Sequence, residues 1–213
     1  MSEQAQKINL IMSLRRQGIT DNRVLSAIER VDRELFVPKS FANHAYDDNA
    51  LPIECGQTIS QPYVVAAMTQ ALEIDDRCKV LEVGTGSGYQ AAVLAHLCRR
   101  VYTMERYRTL LRQAEGRFEK FGLTNITAMV GDGLNGWPEQ APFDRIIVTA
   151  AAEDIPNTLL EQLKIQGKMV LPVTSSPDVQ ELVTIIRHEE GVEKKGLLPV
   201  RFVPLVSGVA KEL

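Results

Sequence analysis

The stretch VLEVGTGSGYQ, residues 80–90, decides the fold. Its apolar first half predicts a short buried strand, its glycines predict a tight turn, and Tyr89 and Gln90 begin a helix. Glycines let the backbone bend sharply and approach a ligand without a Cβ in the way. An acidic residue, Glu82, stands two positions before the first glycine. The stretch therefore predicts a strand–loop–helix unit that binds a ligand at its loop.

The spacing of the glycines indicates which ligand the loop suits. Gly84, Gly86 and Gly88 follow the pattern Gly-x-Gly-x-Gly, with Tyr89 where a dinucleotide fingerprint would need its third glycine. The Gly-Lys-Ser/Thr signature of a P-loop is also absent. The loop is thus shaped for a nucleoside but not for a phosphate, and an NAD-dependent oxidoreductase is disfavoured.

The rest of the chain alternates strands with helices. The predicted strands lie near 79–83, 100–104, 126–130, 143–149 and 168–173, and the predicted helices lie near 88–98, 107–121 and 156–164. This alternation predicts an α/β fold with a doubly wound, mostly parallel sheet. Strands at 179–187 and 197–206, joined by a polar turn at 188–191, predict an antiparallel C-terminal finish.

The N-terminal part has a different pattern. Helical periodicity predicts one helix over 3–17 and a second from Thr20 or Asp21, and Pro62 suits the first turn of a third. Residues 39–59 have no clean period, and long segments of this kind are often functional. We expect one domain over 1–213, with a helical, substrate-side extension (1–60), a cofactor-binding core (61–173) and C-terminal strands (174–213).

Composition excludes several classes of protein. A net charge of −3 argues against nucleic acid as the main partner, since binding phosphates needs a basic face. The chain has neither the run of ~20 apolar residues that spans a bilayer nor a signal peptide at its start. The three cysteines form no metal motif and suggest a reducing compartment. We expect a cytoplasmic monomer with no metal and no membrane contact.

Candidate ligand-binding residues stand at successive strand ends. Ligands of open α/β sheets bind beyond the carboxyl ends of the strands. Glu105 ends the second strand and can accept hydrogen bonds from ribose hydroxyls, and Asp132 follows the third and can accept one from an adenine amino group. Taken singly, Asp132 is also a common turn former. Glu82 has two readings, either orienting the glycine loop or touching the ligand.

Several motifs resemble the protein-L-isoaspartate O-methyltransferase family. The glycine loop is typical of all S-adenosylmethionine-dependent methyltransferases, whereas GQTIS at 56–60 and RFVPL at 201–205 are more specific to this family. The resemblance extends over nearly the whole chain, through YDDNALP at 46–52, GDG at 131–133 and AAA at 150–152. Glu54 and Cys55 depart from the family pattern, which leaves the fine substrate contacts open.

The resemblance implies a fold, a reaction and a site. The fold would be the Rossmann-like methyltransferase type, and the reaction would transfer a methyl group from S-adenosyl-L-methionine to the free α-carboxyl of isoaspartyl residues in damaged peptides and proteins. S-adenosyl-L-homocysteine would be the product, and the methyl ester would close to a succinimide. Ser60 would be catalytic. The expected cofactor-binding residues are Thr58, Ile59, Ser60, Glu82, Gly84, Gly86, Gly88, Glu105, Asp132 and Gly133. The expected substrate-binding residues are Ile59, Ala150, Ala151, Val203, Pro204 and Leu205.

The sequence contains no recognisable catalytic triad and no metal motif, and this chemistry needs neither. An α-carboxyl with a reference pKa of about 3.3–3.7 is already ionised at neutral pH, so the reaction requires no general base or metal. A hydroxyl at Ser60 would orient the acceptor carboxylate, although a serine just before Pro62 is also well placed as a helix cap. Two other functions stay open: a methyltransferase of a small molecule or RNA, and a non-enzymatic S-adenosylmethionine-binding protein.

Overall fold

A seven-stranded mixed sheet forms the centre of the computed structural model, which describes residues 3–176 and 179–211. The strands are β1 (Leu51–Pro52), β2 (Thr58–Ile59), β3 (Lys79–Val83), β4 (Arg100–Glu105), β5 (Ile126–Val130), β6 (Phe143–Val148), β7 (Leu163–Ser176), β8 (Val179–His188) and β9 (Gly191–Val200). The helices are α1 (Glu3–Arg16), α2 (Asn22–Arg30), α3 (Pro62–Leu72), α4 (Tyr89–Ala95), α5 (Arg108–Lys120) and α6 (Asn157–Gln162).

The order of the strands creates a crevice. The large sheet runs β5-β4-β3-β6-β7-β8-β9, with parallel pairing from β5 to β7 and antiparallel pairing of β7 with β8 and of β8 with β9. The chain builds outward from β3 through β4 to β5 and then returns to place β6 on the other side of β3. This reversal is the point at which open α/β sheets bind ligands. The predicted doubly wound sheet with an antiparallel finish is confirmed.

Apolar strands fix the middle of the sheet. The side chains of Val80, Leu81, Ile146 and Ile147 are inaccessible to solvent, as central parallel strands covered on both faces require. The predicted helices also form, and α2 begins where Asp21 accepts a 2.8 Å hydrogen bond from the amide of Arg23.

The N-terminal extension leads into the ligand-binding edge. The small antiparallel ladder of β1 and β2 pairs Leu51 with Ile59. Both residues are buried in the same apolar cluster as Val24, Ile28 and Phe36, so the aperiodic segment is folded onto the helices around it. Within residues 3–176 and 179–211, no helix combines the length and the apolar character that crossing a bilayer requires.

The C-terminal strand differs from its prediction. β9 covers Gly191–Val200 instead of 197–206, because the turn before it is only Glu189–Glu190. β9 is an edge strand, and its Lys194 and Lys195 face solvent, so the apolar alternation that signals a strand is missing. Residues 201–206 leave the sheet, and Pro204 bridges to Ala151. The division of the chain into three regions stays a prediction.

Candidate active site

A cleft opens at the carboxyl ends of β3, β4, β5 and β6, around the reversal in strand order. It contains about 820 Å³ of space between the protein atoms, which includes open solvent at its mouth. Eleven of the residues expected from the sequence line it: Thr58, Ile59, Ser60, Gly84, Gly86, Glu105, Gly133, Ala150, Val203, Pro204 and Leu205. The chain therefore brings residues from three separate regions to one site.

The other expected residues lie behind the wall of the cleft. Gly88 packs on α5, because a Cβ there would stand 2.8 Å from the ring of Phe118. Ala151 binds the segment 203–205 through its backbone. Its carbonyl accepts a 2.7 Å hydrogen bond from the amide of Leu205, and its amide donates a 2.8 Å hydrogen bond to the carbonyl of Val203. Glu82 and Asp132 also lie outside the lining, and each contacts a segment that forms the wall.

Glu105 holds the glycine loop in place. Its Oε2 accepts a 2.8 Å hydrogen bond from the amide of Gly86, and its Oε1 accepts hydrogen bonds from the amides of Arg106 and Tyr107 at 2.8 and 3.0 Å. Burial raises the pKa of the Glu105 carboxyl, and these three amides partly oppose that rise. Oε2 accepts only one of these bonds and keeps a further lone-pair direction, so Glu105 can still accept from a ligand.

Glu82 lies beneath the glycine loop and is inaccessible to solvent. Thr103 donates a hydrogen bond to its Oε2, and the Thr103 hydroxyl lies 2.6 Å from the hydroxyl of Thr85 in the loop. Its Oε1 has no hydrogen-bond partner among the described residues. Burial raises the pKa of Glu82 to about 8, so a neutral carboxyl predominates at pH 7. This arrangement favours the orienting role of Glu82 over direct contact with a ligand.

Thr149 lines the cleft but is not among the site residues expected from the sequence, which indicated only a small side chain after the fourth strand. Its hydroxyl donates to the carbonyl of Gly84 at 2.6 Å and lies 3.1 Å from that of Val83, and the residue itself lines the cleft. The signal available in the sequence was its place at the end of β6. That place alone does not reveal that the hydroxyl reaches across to the neighbouring strand.

Ser60 is not a helix cap. The residue before the first turn of α3 is Gln61, whose side chain makes no capping hydrogen bond. Instead, Asp48 Oδ1 accepts a 2.8 Å hydrogen bond from the amide of Tyr63. No hydrogen bond of the Ser60 hydroxyl is found in the parts of the chain that the structure describes. The hydroxyl is therefore available to a ligand in the cleft.

A second groove adjoins the cleft and shares Thr58 and Ser60 with it. The groove encloses about 1050 Å³ up to its mouth. Its other lining residues are Ala50, Gln61, Tyr63, Val64, Leu198, Pro199, Val200, Arg201 and Phe202. The sequence analysis placed substrate contacts at Ile59, Ala150, Ala151 and residues 203–205. It did not find this groove, because the groove's far wall comes from the end of the edge strand.

The chemistry of the lining indicates the ligand class. Among described residues that line the cleft, Arg106 is the only basic one, and its Nε donates to the carbonyl of Gly208 at 3.3 Å. Val83, Met104 and Leu205 supply apolar surface, and Glu105 supplies negative charge. A diphosphate would meet no cluster of cations here, whereas a nucleoside with a cationic substituent is compatible with the lining. Within the described residues, no cluster of three or more His, Cys, Asp or Glu has the geometry of a metal site.

Comparison with known proteins identifies relatives along almost the entire chain. The model of the protein-L-isoaspartate(D-aspartate) O-methyltransferase family matches residues 5–210. A protein-L-isoaspartate O-methyltransferase of Parvibaculum lavamentivorans is 65% identical over 97% of this chain and 94% of its own length. One of Maricaulis maris is 62% identical over 97% of this chain and 96% of its own length.

Solved structures give the same result. A protein-L-isoaspartate O-methyltransferase structure superposes with a TM-score of 0.85 at 27% identity, covering 95% of this chain and 67% of the other. A structure from Plasmodium falciparum, assigned to the same enzyme class and in complex with S-adenosyl-L-homocysteine, superposes with a TM-score of 0.81 at 25% identity. That match covers 93% of this chain and 97% of the other.

Proposed function

The chain belongs to the protein-L-isoaspartate(D-aspartate) O-methyltransferase family. From this premise we propose that its cleft binds the methyl donor and its groove binds the damaged peptide. The protein transfers a methyl group from S-adenosyl-L-methionine to the free α-carboxyl of L-isoaspartyl residues in damaged peptides and proteins. The resulting ester starts repair through a succinimide. Ser60 carries the proposal, because this residue lines both cavities and does not cap the helix.

The cleft fits the methyl donor. The Cβ position of Gly86 has only the Ile53 side chain within 4 Å, at 3.7 Å, so the loop is open where a ligand approaches, and its φ of +52° favours glycine. Thr58, Ile59, Gly84, Glu105 and Gly133 would hold the donor, with Glu105 Oε2 accepting from a ribose hydroxyl. Glu82 would affect binding of the donor indirectly, by orienting the glycine loop. S-adenosyl-L-methionine supplies an electrophilic methyl group on a sulfonium and leaves as S-adenosyl-L-homocysteine.

Side chains of the protein align the acceptor carboxylate with the methyl donor. The isoaspartyl α-carboxyl is ionised at neutral pH, so no side chain needs to remove a proton from it. The Ser60 hydroxyl donates a hydrogen bond to one carboxylate oxygen and directs the other toward the cleft. Holding two reactants in line can correspond to effective molarities of roughly 10⁵–10⁸ M.

The second groove gives the damaged peptide a path. One acceptor residue must reach Ser60 while its flanking chain continues away from the cleft, and the groove leads from Ser60 to Arg201. Ile59, Ala150, Ala151 and residues 203–205 would frame the acceptor itself. We further propose a cytoplasmic monomer without a nucleic-acid partner. The net charge of −3 supports the absence of a nucleic-acid partner, and the free thiols of Cys78 and Cys98 support a reducing compartment.

A matched pair of peptides tests the function. The protein is incubated with methyl-labelled S-adenosyl-L-methionine and either an isoaspartyl peptide or the same peptide with a normal aspartyl residue. We expect base-labile methyl ester on the isoaspartyl peptide alone. Equal labelling of both peptides, or of neither, would contradict the proposal. Repeating the assay with varied flanking residues tests the groove, since a general repair enzyme accepts many of them.

A further inference from the structure

The groove beside Ser60 carries a single charged side chain in its described lining. That side chain is Arg201, and the other described lining residues are apolar or neutral polar. Ser60 borders both the groove and the donor cleft, whereas Arg201 borders the groove and is absent from the lining of the cleft. Arg201 therefore lies along the path of a peptide that flanks the acceptor and not beside the methyl donor.

The fold fixes the backbone on both sides of Arg201. Before it, Val200 pairs with Gln180 at the end of β9. After it, the side chain of Gln180 holds the backbone of Phe202 at two points. Its Oε1 accepts a 2.6 Å hydrogen bond from the amide of Phe202, and its Nε2 donates a 3.1 Å hydrogen bond to the carbonyl. The groove wall that bears Arg201 is thus positioned by β8, and a bound peptide needs to order only the arginine side chain.

The guanidinium of Arg201 is available to a ligand. The residue is exposed, and it makes no hydrogen bond or ion pair with any residue in 3–176 or 179–211. Arginine stays protonated at all ordinary pH values and presents a planar fork of donors that matches a carboxylate. The described lining of the groove includes no acidic side chain that could neutralise this charge. An unopposed positive charge in such a groove favours a negatively charged partner.

We propose that Arg201 is a specificity-determining residue that favours damaged peptides with a carboxylate on the chain flanking the isoaspartyl residue. This inference rests on the proposed function, because the peptide in the groove is the methyl acceptor. The carboxylate can belong to an Asp or Glu side chain or to the C-terminus of a short peptide, since both offer two oxygens to the guanidinium. The preference acts on peptide binding and not on methyl transfer, because Arg201 does not border the donor cleft. A preference of a few fold still lets the enzyme accept many sequences.

Steady-state methyl transfer to matched isoaspartyl peptides tests the proposal. The peptides are blocked at both ends and carry Glu, Gln or Lys at one position within three residues of the isoaspartyl residue. In wild type, Glu should lower KM about fivefold relative to Gln at one or more of these positions, the upper range for an exposed ion pair. Lys should raise KM, and kcat should be similar for all peptides. A Gln peptide with a free C-terminus is the second arm, and a lower KM in either arm supports the proposal and identifies the source of the carboxylate.

Variants connect the preference to one side chain. Arg201→Gln should abolish the difference between the Glu and Gln peptides, leave KM for the blocked Gln peptide nearly unchanged, and bind S-adenosyl-L-homocysteine like wild type. Arg201→Lys should keep part of the preference. Lys195→Gln is the matched control, because it removes one positive charge from an exposed position of β9 outside the groove lining and should keep the full preference. Salt at about 1 M, where the Debye length is about 3 Å, should weaken the preference of wild type.

An equal rise in KM for all peptides in Arg201→Gln would overturn the proposal, because Arg201 would then hold the acceptor residue or the peptide backbone. A preference that persists in Arg201→Gln, or that disappears equally in Lys195→Gln, would overturn it as well. A wild-type protein that methylates none of the isoaspartyl peptides would refute the proposed function and this role together. Methylation of all of them with equal KM would refute this role alone.

Discussion

The carboxylate of Asp48 accepts a 2.8 Å hydrogen bond from the backbone amide of Tyr63, in the first turn of α3. The two residues are fifteen positions apart, so the N-terminal extension supplies the cap that the residue preceding the helix does not. Gln17 adds a 3.0 Å hydrogen bond to the other carboxylate oxygen. This relationship leaves the Ser60 hydroxyl unused by the fold.

Removing that cap should lower stability. We expect Asp48→Ala to reduce the free energy of unfolding by about 1 kcal/mol, the usual value of an N-terminal cap. Urea denaturation followed by circular dichroism measures this change. Asp47→Ala is the matched control, because Asp47 makes an exposed ion pair with His44 that contributes little. Equal losses in the two variants would contradict the capping role.

The buried Glu82 should make stability depend on pH. Burial raises its folded-state pKa to about 8, above the unfolded value near 4.5. Between those two values the unfolded chain ionises while the folded protein stays protonated, so Glu82 lowers stability as the pH rises, by at most about 1.4 kcal/mol per pH unit. Glu82→Gln should therefore gain stability relative to wild type from pH 5 to pH 8. Thermal or urea unfolding across that range checks this, and parallel profiles would contradict a raised pKa.

The buried Arg33 should stabilise the N-terminal extension. Its guanidinium is inaccessible to solvent, donates to the carbonyls of Ala45 and Asn49 at 2.8 and 3.1 Å, and lies 5.1 Å from the centre of the Tyr89 ring. Arg33→Ala removes a large buried side chain and leaves both carbonyls without that donor, so we expect a loss of about 2–5 kcal/mol. The exposed Arg30 offers the control. A change below about 0.5 kcal/mol in Arg33→Ala would contradict this role.

Gly86 should be required for ligand binding more than for folding. A Cβ there would meet little protein but would project beside the cleft, and the φ of +52° is unfavourable for alanine. We expect Gly86→Ala to weaken S-adenosyl-L-homocysteine binding about tenfold or more while the circular dichroism spectrum is retained. Gly116→Ala is the control: Gly116 lies in α5 with open space around its Cβ, so binding should be unchanged. Wild-type affinity in Gly86→Ala would contradict a close approach of the ligand to the backbone of Gly86.

The sequence predicted those features that depend on local pattern. The glycine loop, the buried strands and the acidic residue ending β4 could be found because a residue and its near neighbours determine them. The capping of α3 by Asp48, the hydroxyl of Thr149 on Gly84 and the groove beside Ser60 depend on contacts between segments far apart in the chain. The hydrophobic periodicity of the sequence carries no information about such contacts. The bounds of β9 were mispredicted for another reason, since the polar surface of an edge strand resembles that of a turn.

The role of Ser60 tests the account most directly. Initial rates of methyl transfer to a saturating isoaspartyl peptide should fall about 10- to 150-fold in Ser60→Ala, the value of a hydrogen bond to a charged group. Ser60→Thr should restore part of the rate, and the affinity for S-adenosyl-L-homocysteine should change little in either variant. A folded Ser60→Ala variant with the turnover of wild type would contradict alignment of the acceptor carboxylate by this hydroxyl.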